Sequence, residues 1–211
     1  MTQAVSAARE AVVRRGQLLT WGTIGYNALE AVLSIGRGRG IVALVGFGFD
    51  SVLELTSSVA ALWRLGADAS SHRREHTERH ALRIIGVCFL VLAAYIGIDA
   101  ARSLVAREAP DESAIGIAIA AASLVVMPLL ARAKRRVAGQ LGSRAIAAEA
   151  RQTELCTWLS AILLGGPALN ALLGWWWADP VAALAMVPII ALEGRRALRG
   201  ETPCGDGCHH A

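Results

Sequence analysis

Long apolar runs separated by short basic loops are the feature that most restricts the fold of this 211-residue chain. The runs approach the roughly 20 apolar residues that a helix needs to cross a bilayer. Because lipid offers the backbone no hydrogen-bond partners, such segments must be helical. We therefore predict an all-α, polytopic membrane protein with six transmembrane helices, at about residues 18–35, 41–63, 81–104, 114–131, 145–165 and 175–192.

The composition argues against a soluble domain. The chain is 55% hydrophobic and 18% charged, which is too apolar for a soluble helical protein of this size. Its first twenty residues include Arg9, Arg14 and Arg15 and lack the apolar core of a cleaved signal peptide. The net charge of +4 arises from basic residues between apolar runs, so we expect no nucleic-acid partner.

Counting Lys and Arg residues by loop predicts the orientation. Sixteen lie at the amino terminus, in the second and fourth loops and in the tail, against four on the opposite side. The positive-inside rule then places both termini in the cytoplasm of a plasma (inner) membrane protein. The expected organisation is a cytoplasmic segment at 1–17, a six-helix membrane domain at 18–193 and a short cytoplasmic tail at 194–211.

Two acidic residues, Asp50 and Glu54, interrupt the second apolar run. At a spacing of four they share one face of a helix. One ionised residue at mid-membrane costs about 2.5–3.5 kcal/mol on insertion scales, so an acidic pair requires a partner, and a cation fits best. The alternative is a structural role, in which the acids bond neighbouring helices or pair with Arg102 or Arg151.

The fifth run carries a second pair with the same spacing, Gln152 and Cys156, with Glu149 and Glu154 nearby. An amide oxygen, a thiolate and the two carboxylates of the second run would complete four-coordination of a divalent metal. A thiolate ligand favours Zn²⁺ or Cd²⁺ over Mg²⁺ or Ca²⁺. Cys156 is equally well explained as a small buried apolar residue.

These segments resemble a known family. Residues 46–58, Gly-Phe-Gly-Phe-Asp-Ser-Val-Leu-Glu-Leu-Thr-Ser-Ser, look like the second transmembrane helix of the cation diffusion facilitator (cation efflux) family. Residues 143–156 resemble its fifth helix, and residues 177–180, Trp-Ala-Asp-Pro, resemble the opening of its sixth. Asn27 stands where the first helix of the family often has Asn. The resemblance covers about residues 17–199.

The resemblance implies a six-helix, cation-efflux-like bundle that forms a homodimer and exchanges a divalent metal for protons. It places the metal between the second and fifth helices, at Asp50, Glu54, Gln152 and Cys156. Gln152 and Cys156 replace the family's acidic or imidazole pair. The family's usual cytoplasmic domain is not expected here, as in its transmembrane-only branch. The expected partners are the cation, favoured as Zn²⁺, protons, lipid and a second copy, and no cofactor is expected besides the transported metal.

Two further groups have metal-binding potential. His72, His76 and His80 recur every four residues, a spacing compatible with Zn²⁺ but common in solvated helix ends. The tail concentrates two thiols and two imidazoles on a Gly-rich stretch, which either captures metal before delivery or is an unstructured tail, at Cys204, Cys208, His209 and His210. Glu30 and Asp99 are secondary candidates for a proton route.

Other classes of function remain as alternatives. A membrane-bound metal sensor or binding subunit would share the acidic pair without transporting. An intramembrane enzyme fits less well, because the sequence has no Gly-x-Ser-x-Gly or His-Glu-x-x-His motif, so we expect no enzymatic activity. We also predict a chain break at Gly165-Gly166-Pro167, between the fifth and sixth helices.

Overall fold

The computed structural model describes residues 2–37, 42–68, 71–107 and 114–201. Within these ranges the chain forms helices and no strands, which confirms the all-α prediction and the number of helices. The helices are α1 (Thr2–Arg37), α2 (Val42–Gly66), α3 (Ser71–Ala106), α4 (Ala114–Leu141), α5 (Arg144–Leu173) and α6 (Ala178–Arg199).

Most helices extend beyond the apolar runs that predicted them. α1 already begins at Thr2, so the segment predicted at 1–17 continues directly into the first apolar run. α3 starts ten residues before the predicted span, and α4 continues to Leu141 through a basic stretch. Arg, Lys, Glu and Ala are good helix formers, so a helix has no local reason to end where its apolar run ends.

The predicted break at Gly165-Gly166-Pro167 is wrong, because α5 runs through it as far as Leu173. Helices in membranes tolerate Gly and Pro, since neighbouring groups and local adjustments satisfy the freed backbone atoms. The helix ends about two turns later, before Gly174, whose φ of 68° is a left-handed conformation that glycine adopts without steric cost.

Glycines instead permit close helix contacts. A Cβ at Gly166 would lie 2.6 Å from Oδ1 of Asp179, so α5 and the first turn of α6 approach closely there. Gly86 of α3 faces Gly194 of α6, and a Cβ on either would lie 3.0 Å from the carbonyl oxygen of the other. Small residues at such crossings let two helix backbones pack closely within a membrane bundle.

The helices pack in three close pairs, α3 with α6, α4 with α5 and α1 with α2. Contacts between α2 and α5, between α2 and α3 and between α1 and α4 join the pairs into a bundle. The α2–α5 contact brings together the two segments that carry the predicted ligand pairs.

The surface of the bundle carries many large apolar side chains, with Trp21 58% exposed, Val32 69% and Leu172 81%. The interior combines apolar clusters with charged and amide side chains, among them Glu149 and Gln152, which are fully buried. Apolar side chains on the surface suit helices that contact lipid, and ionisable groups in such a bundle usually face its interior.

Among the residues whose side chains the structure describes, two helical segments qualify as membrane spans on length and hydropathy alone, residues 73–106 and 117–141.

An ion-paired cluster, which we call the Arg64 cluster, joins four helices at the end of the bundle that carries the second and fourth loops. Arg64 is 1% exposed and pairs with Glu78 and, at 2.8 Å, with Asp68. Arg9 of α1 binds both oxygens of Asp68 at 2.7 and 2.9 Å. Burial acts to raise the pKa of Asp68, but the hydrogen bonds from Arg9 and Arg64 outweigh it and hold that pKa below its ordinary value.

Glu78 extends the Arg64 cluster to the start of α5. Its carboxylate accepts hydrogen bonds from the hydroxyl of Ser143 at 3.0 Å and from the backbone N–H of Ala145 at 2.6 Å. Ser143 is the N-cap of α5 and also accepts from the N–H of Ile146. The Glu78 carboxylate therefore both pairs with a free backbone N–H at the start of α5 and offsets the charge of Arg64.

We expect Arg64→Met to destabilise the protein by about 3–5 kcal/mol, because it leaves the buried Glu78 carboxylate without its cation. Unfolding in mixed detergent micelles with increasing SDS measures the change. The matched control is Arg79→Met, which removes an exposed pair with Glu75 and should cost less than about 1 kcal/mol. Equal costs for the two variants would contradict a structural role for the Arg64 cluster.

Candidate functional site

The structure brings the predicted ligand residues together where α2 meets α5. The thiol of Cys156, 4% exposed, lies within hydrogen-bonding reach of the carboxylates of Asp50 and Glu54. Gln152 is fully buried one turn earlier on the same face of α5. Asp50, Glu54 and Cys156 therefore lie near one another inside the bundle, and we call these three residues together with Gln152 the α2–α5 site.

Several polar atoms of the α2–α5 site have no hydrogen-bond partner among the described residues. They are Oδ1 of Asp50 and both the oxygen and the nitrogen of the Gln152 amide. An unsatisfied buried polar group costs about 1–3 kcal/mol. Free acceptor oxygens beside a thiol are the donor set that a divalent cation would use.

The donors are not drawn together as a closed cage. Among residues 2–37, 42–68, 71–107 and 114–201, no three His, Cys, Asp or Glu side chains are grouped closely enough to hold an ion. Coordination at the α2–α5 site would therefore require its side chains to converge on the ion.

A chain of hydrogen bonds leads from the α2–α5 site to a buried lysine. Thr153 donates to Oε1 of Glu54 at 2.7 Å, and Lys134 donates to Oγ1 of Thr153 at 3.0 Å. Lys134 also pairs with Glu149, which accepts from Ser58 at 2.9 Å. The sequence suggested only a topological role for Lys134, because nothing in its basic stretch distinguishes a buried lysine from its exposed neighbours.

A third carboxylate, Glu30 of α1, lies beside the α2–α5 site, near enough to interact electrostatically with Asp50 and Glu54. Its oxygens accept hydrogen bonds from Ser51 of α2, at 3.2 Å, and from Ser123 of α4. From the sequence, Glu30 is only a secondary candidate for a proton route. The signal in the sequence for a functional role of Glu30 is its place within an apolar run, one turn from Asn27.

Arg151 was one suggested structural partner of Asp50 and Glu54, but it pairs with other acids. That guanidinium pairs with Glu154 at 2.7 Å and with Glu193 at 3.3 Å, on a different side of α5 from Gln152. Glu154 also pairs with Arg135 of α4 at 2.6 Å. Glu154 is therefore part of an ion-pair group of its own and not of the α2–α5 site.

Of the secondary metal candidates, the structure describes the side chains of His76 and His80 alone. The tail group at Cys204, Cys208, His209 and His210 lies outside the described residues, and so does the side chain of His72. The rings of His76 and His80 have centroids 4.2 Å apart, and Nδ1 of His80 lies 2.8 Å from the His76 carbonyl oxygen. That bond orients the His80 ring along α3.

Much of this sequence is similar to known proteins. The family model of the cation efflux transmembrane domain matches residues 39–201. An uncharacterized transporter of Synechocystis sp. is 28% identical over 189 residues, which are 85% of this chain and 61% of that protein. Transmembrane protein 163 of Xenopus laevis is 29% identical over 130 residues, 61% of this chain and 46% of that protein. The chain thus spans about half to three fifths of the length of these two relatives.

We expect Gln152→Leu to leave the free energy of unfolding unchanged or to raise it by about 1 kcal/mol. The substitution replaces an unsatisfied buried amide with an apolar group of similar size, which removes a desolvation cost. SDS titration of the purified protein measures the change, and Gln140→Leu, at an exposed position on α4, is the matched control. A loss above about 1 kcal/mol relative to this control would mean that the Gln152 amide stabilises the fold.

Proposed function

The chain belongs to the cation efflux family, and we propose that it is a secondary transporter that carries a divalent metal cation, Zn²⁺ being favoured, across the membrane. One observation carries the proposal. The carboxylates of Asp50 and Glu54 face the thiol of Cys156 inside the bundle, and Oδ1 of Asp50 has no hydrogen-bond partner among the described residues. Buried acids in a membrane bundle are expensive, and a positively charged cargo would explain their presence.

The chemistry of the donors supports a zinc-like cargo. Two carboxylates, one amide oxygen and one thiolate provide four ligands, the number that Zn²⁺ usually takes in a tetrahedral site. The sulfur ligand favours softer ions such as Zn²⁺ and Cd²⁺, whereas Mg²⁺ and Ca²⁺ prefer oxygen ligands alone. We therefore assign Asp50, Glu54, Gln152 and Cys156 as the proposed ligands.

Exchange with protons follows from the same ligands. Carboxylates and thiols bind a metal only after they lose their protons, so loading the site releases protons and unloading it takes protons up. Opening the site alternately to each side would then couple the two ions. With both termini in the cytoplasm, as the basic loops predict, the proposed direction is efflux, and the proposed working unit is a homodimer.

A non-transporting metal sensor would use the same four ligands, so a measurement of flux separates the two functions. Purified protein in vesicles with an acidic interior should accumulate external Zn²⁺, detected by a trapped fluorescent indicator. We expect Asp50→Asn to abolish this accumulation, because the variant loses an ionisable ligand.

Glu75→Gln is the matched control, because it makes the same kind of substitution at an exposed residue of α3. Wild-type flux in Asp50→Asn would remove Asp50 from the mechanism. If the wild-type protein bound Zn²⁺ without any flux, the sensor would be the correct function.

The role of the thiol is tested by metal selectivity. Cys156→Ser should lower the ratio of Cd²⁺ to Mn²⁺ transport at least about tenfold, because loss of even an outer-shell partner weakens metal sites by that much. Cys88→Ser, at the other buried cysteine of the described chain, is the matched control and should keep the wild-type ratio. An unchanged ratio in Cys156→Ser would exclude sulfur from the coordination sphere.

A further inference from the structure

We infer that Lys134 is a positioning residue for the transport site, which acts through Thr153 to hold Glu54 in place for the cation. The inference rests on the proposed transport function and concerns a residue outside the proposed ligand set. Lys134 belongs to α4, Thr153 to α5 and Glu54 to α2. The arrangement therefore ties the geometry of one ligand to the packing of three helices.

The contacts form an unbroken path. Nζ of Lys134 lies 3.0 Å from Oγ1 of Thr153, and that oxygen lies 2.7 Å from Oε1 of Glu54. Lys134 and Glu54 are each 1% exposed and Thr153 is fully buried, so water does not compete for these bonds. In such surroundings a hydrogen bond between polar groups is stronger than it is in water.

The path has one direction, because an ammonium group can only donate hydrogen bonds. Thr153 must therefore accept from Lys134, which leaves its single hydroxyl hydrogen to donate elsewhere. Two acceptors lie within reach, Oε1 of Glu54 at 2.7 Å and the backbone carbonyl of Glu149 at 3.3 Å. The shorter bond selects Glu54, so Oε1 of that carboxylate is held in a fixed position.

Glu149 makes the buried lysine tolerable. It is fully buried and pairs with Nζ of Lys134, so the two charges neutralise each other beside the transport site. A buried ion pair rarely stabilises a fold more than apolar residues of similar volume would. Packing of α4 against α5 therefore does not by itself require Lys134, whereas orienting the Thr153 hydroxyl requires a donor at this position.

Kinetics of Zn²⁺ uptake into acidic vesicles test the inference. Thr153→Val, which keeps the size of the side chain and removes the hydroxyl, should raise KM for Zn²⁺ about tenfold, the weight of one hydrogen bond to a charged group, and change the maximal rate much less. Thr153→Ser retains the hydroxyl and should restore KM.

A second variant tests the role of Lys134, and so does its combination with Thr153→Val. Lys134→Met/Glu149→Leu removes both charges together, so neither is left unpaired, and it should raise KM about as much as Thr153→Val. Because both variants break the same path, the triple variant should show no further rise. Arg136→Met, at an exposed cation of the same helix, is the matched control and should keep the wild-type KM.

Two results would overturn the inference. A wild-type KM in Thr153→Val would do so whether or not the charge-removed variant folds. The inference would also be overturned if the triple variant raised KM by the product of the two separate increases. Lys134 and Thr153 would then have independent packing roles. Failure of the proposed function itself is a different result, in which the wild-type protein shows no Zn²⁺ flux at all.

Discussion

Buried polar groups in a lipid-facing bundle must find their partners within the protein, because the bilayer supplies none. This constraint organises the contacts between the helices. The Arg64 cluster connects α1, α2, α3 and α5, and the path from Lys134 to Glu54 connects α4, α5 and α2. Apolar contacts alone do little to determine which helix faces pair in such a bundle, since lipid tails are as apolar as the side chains they would replace.

The two polar groups differ in how completely they are satisfied. In the Arg64 cluster, each carboxylate has at least two donors, with Asp68 bonded by Arg9 and Arg64, and Glu78 by Arg64 and Ser143. At the α2–α5 site, Oδ1 of Asp50 and the whole Gln152 amide have no partners in the described part of the chain. Saturated bonding is typical of a structural role, while unpaired acceptors that persist at a cost are expected where a ligand binds.

The balance of charge near the site also favours a cationic cargo. Asp50, Glu54 and Glu30 lie close enough to interact, while Lys134 is paired with Glu149. In the described part of the chain, these three acids have no ion pair with a cation, a situation that protons or a divalent ion would relieve. Glu30 adds α1 to the helices that surround the site, through its bonds to Ser51 and Ser123.

Much of the site was predictable because its signals are local. The spacing of Asp50 and Glu54 within an apolar run and the matching spacing of Gln152 and Cys156 each lie within one helical turn, and the helix contacts brought these pairs together. Glu30 was visible as an acid in an apolar segment, but its proximity to the others was not. The predicted break at Gly165-Gly166-Pro167 failed because local turn preference does not outweigh helix packing in lipid.

The sequence by itself determined the helical fold, since apolar runs of membrane-spanning length leave the backbone no other way to satisfy its hydrogen bonds. It also determined which acids required a partner. Only the tertiary structure decided which residues bond to those acids. Thr153 meets Glu54 from 99 residues away, and Lys134 is buried among exposed basic neighbours by the way α4 packs on α5. Those choices depend on helix faces that meet only after the bundle assembles, and no local pattern records them.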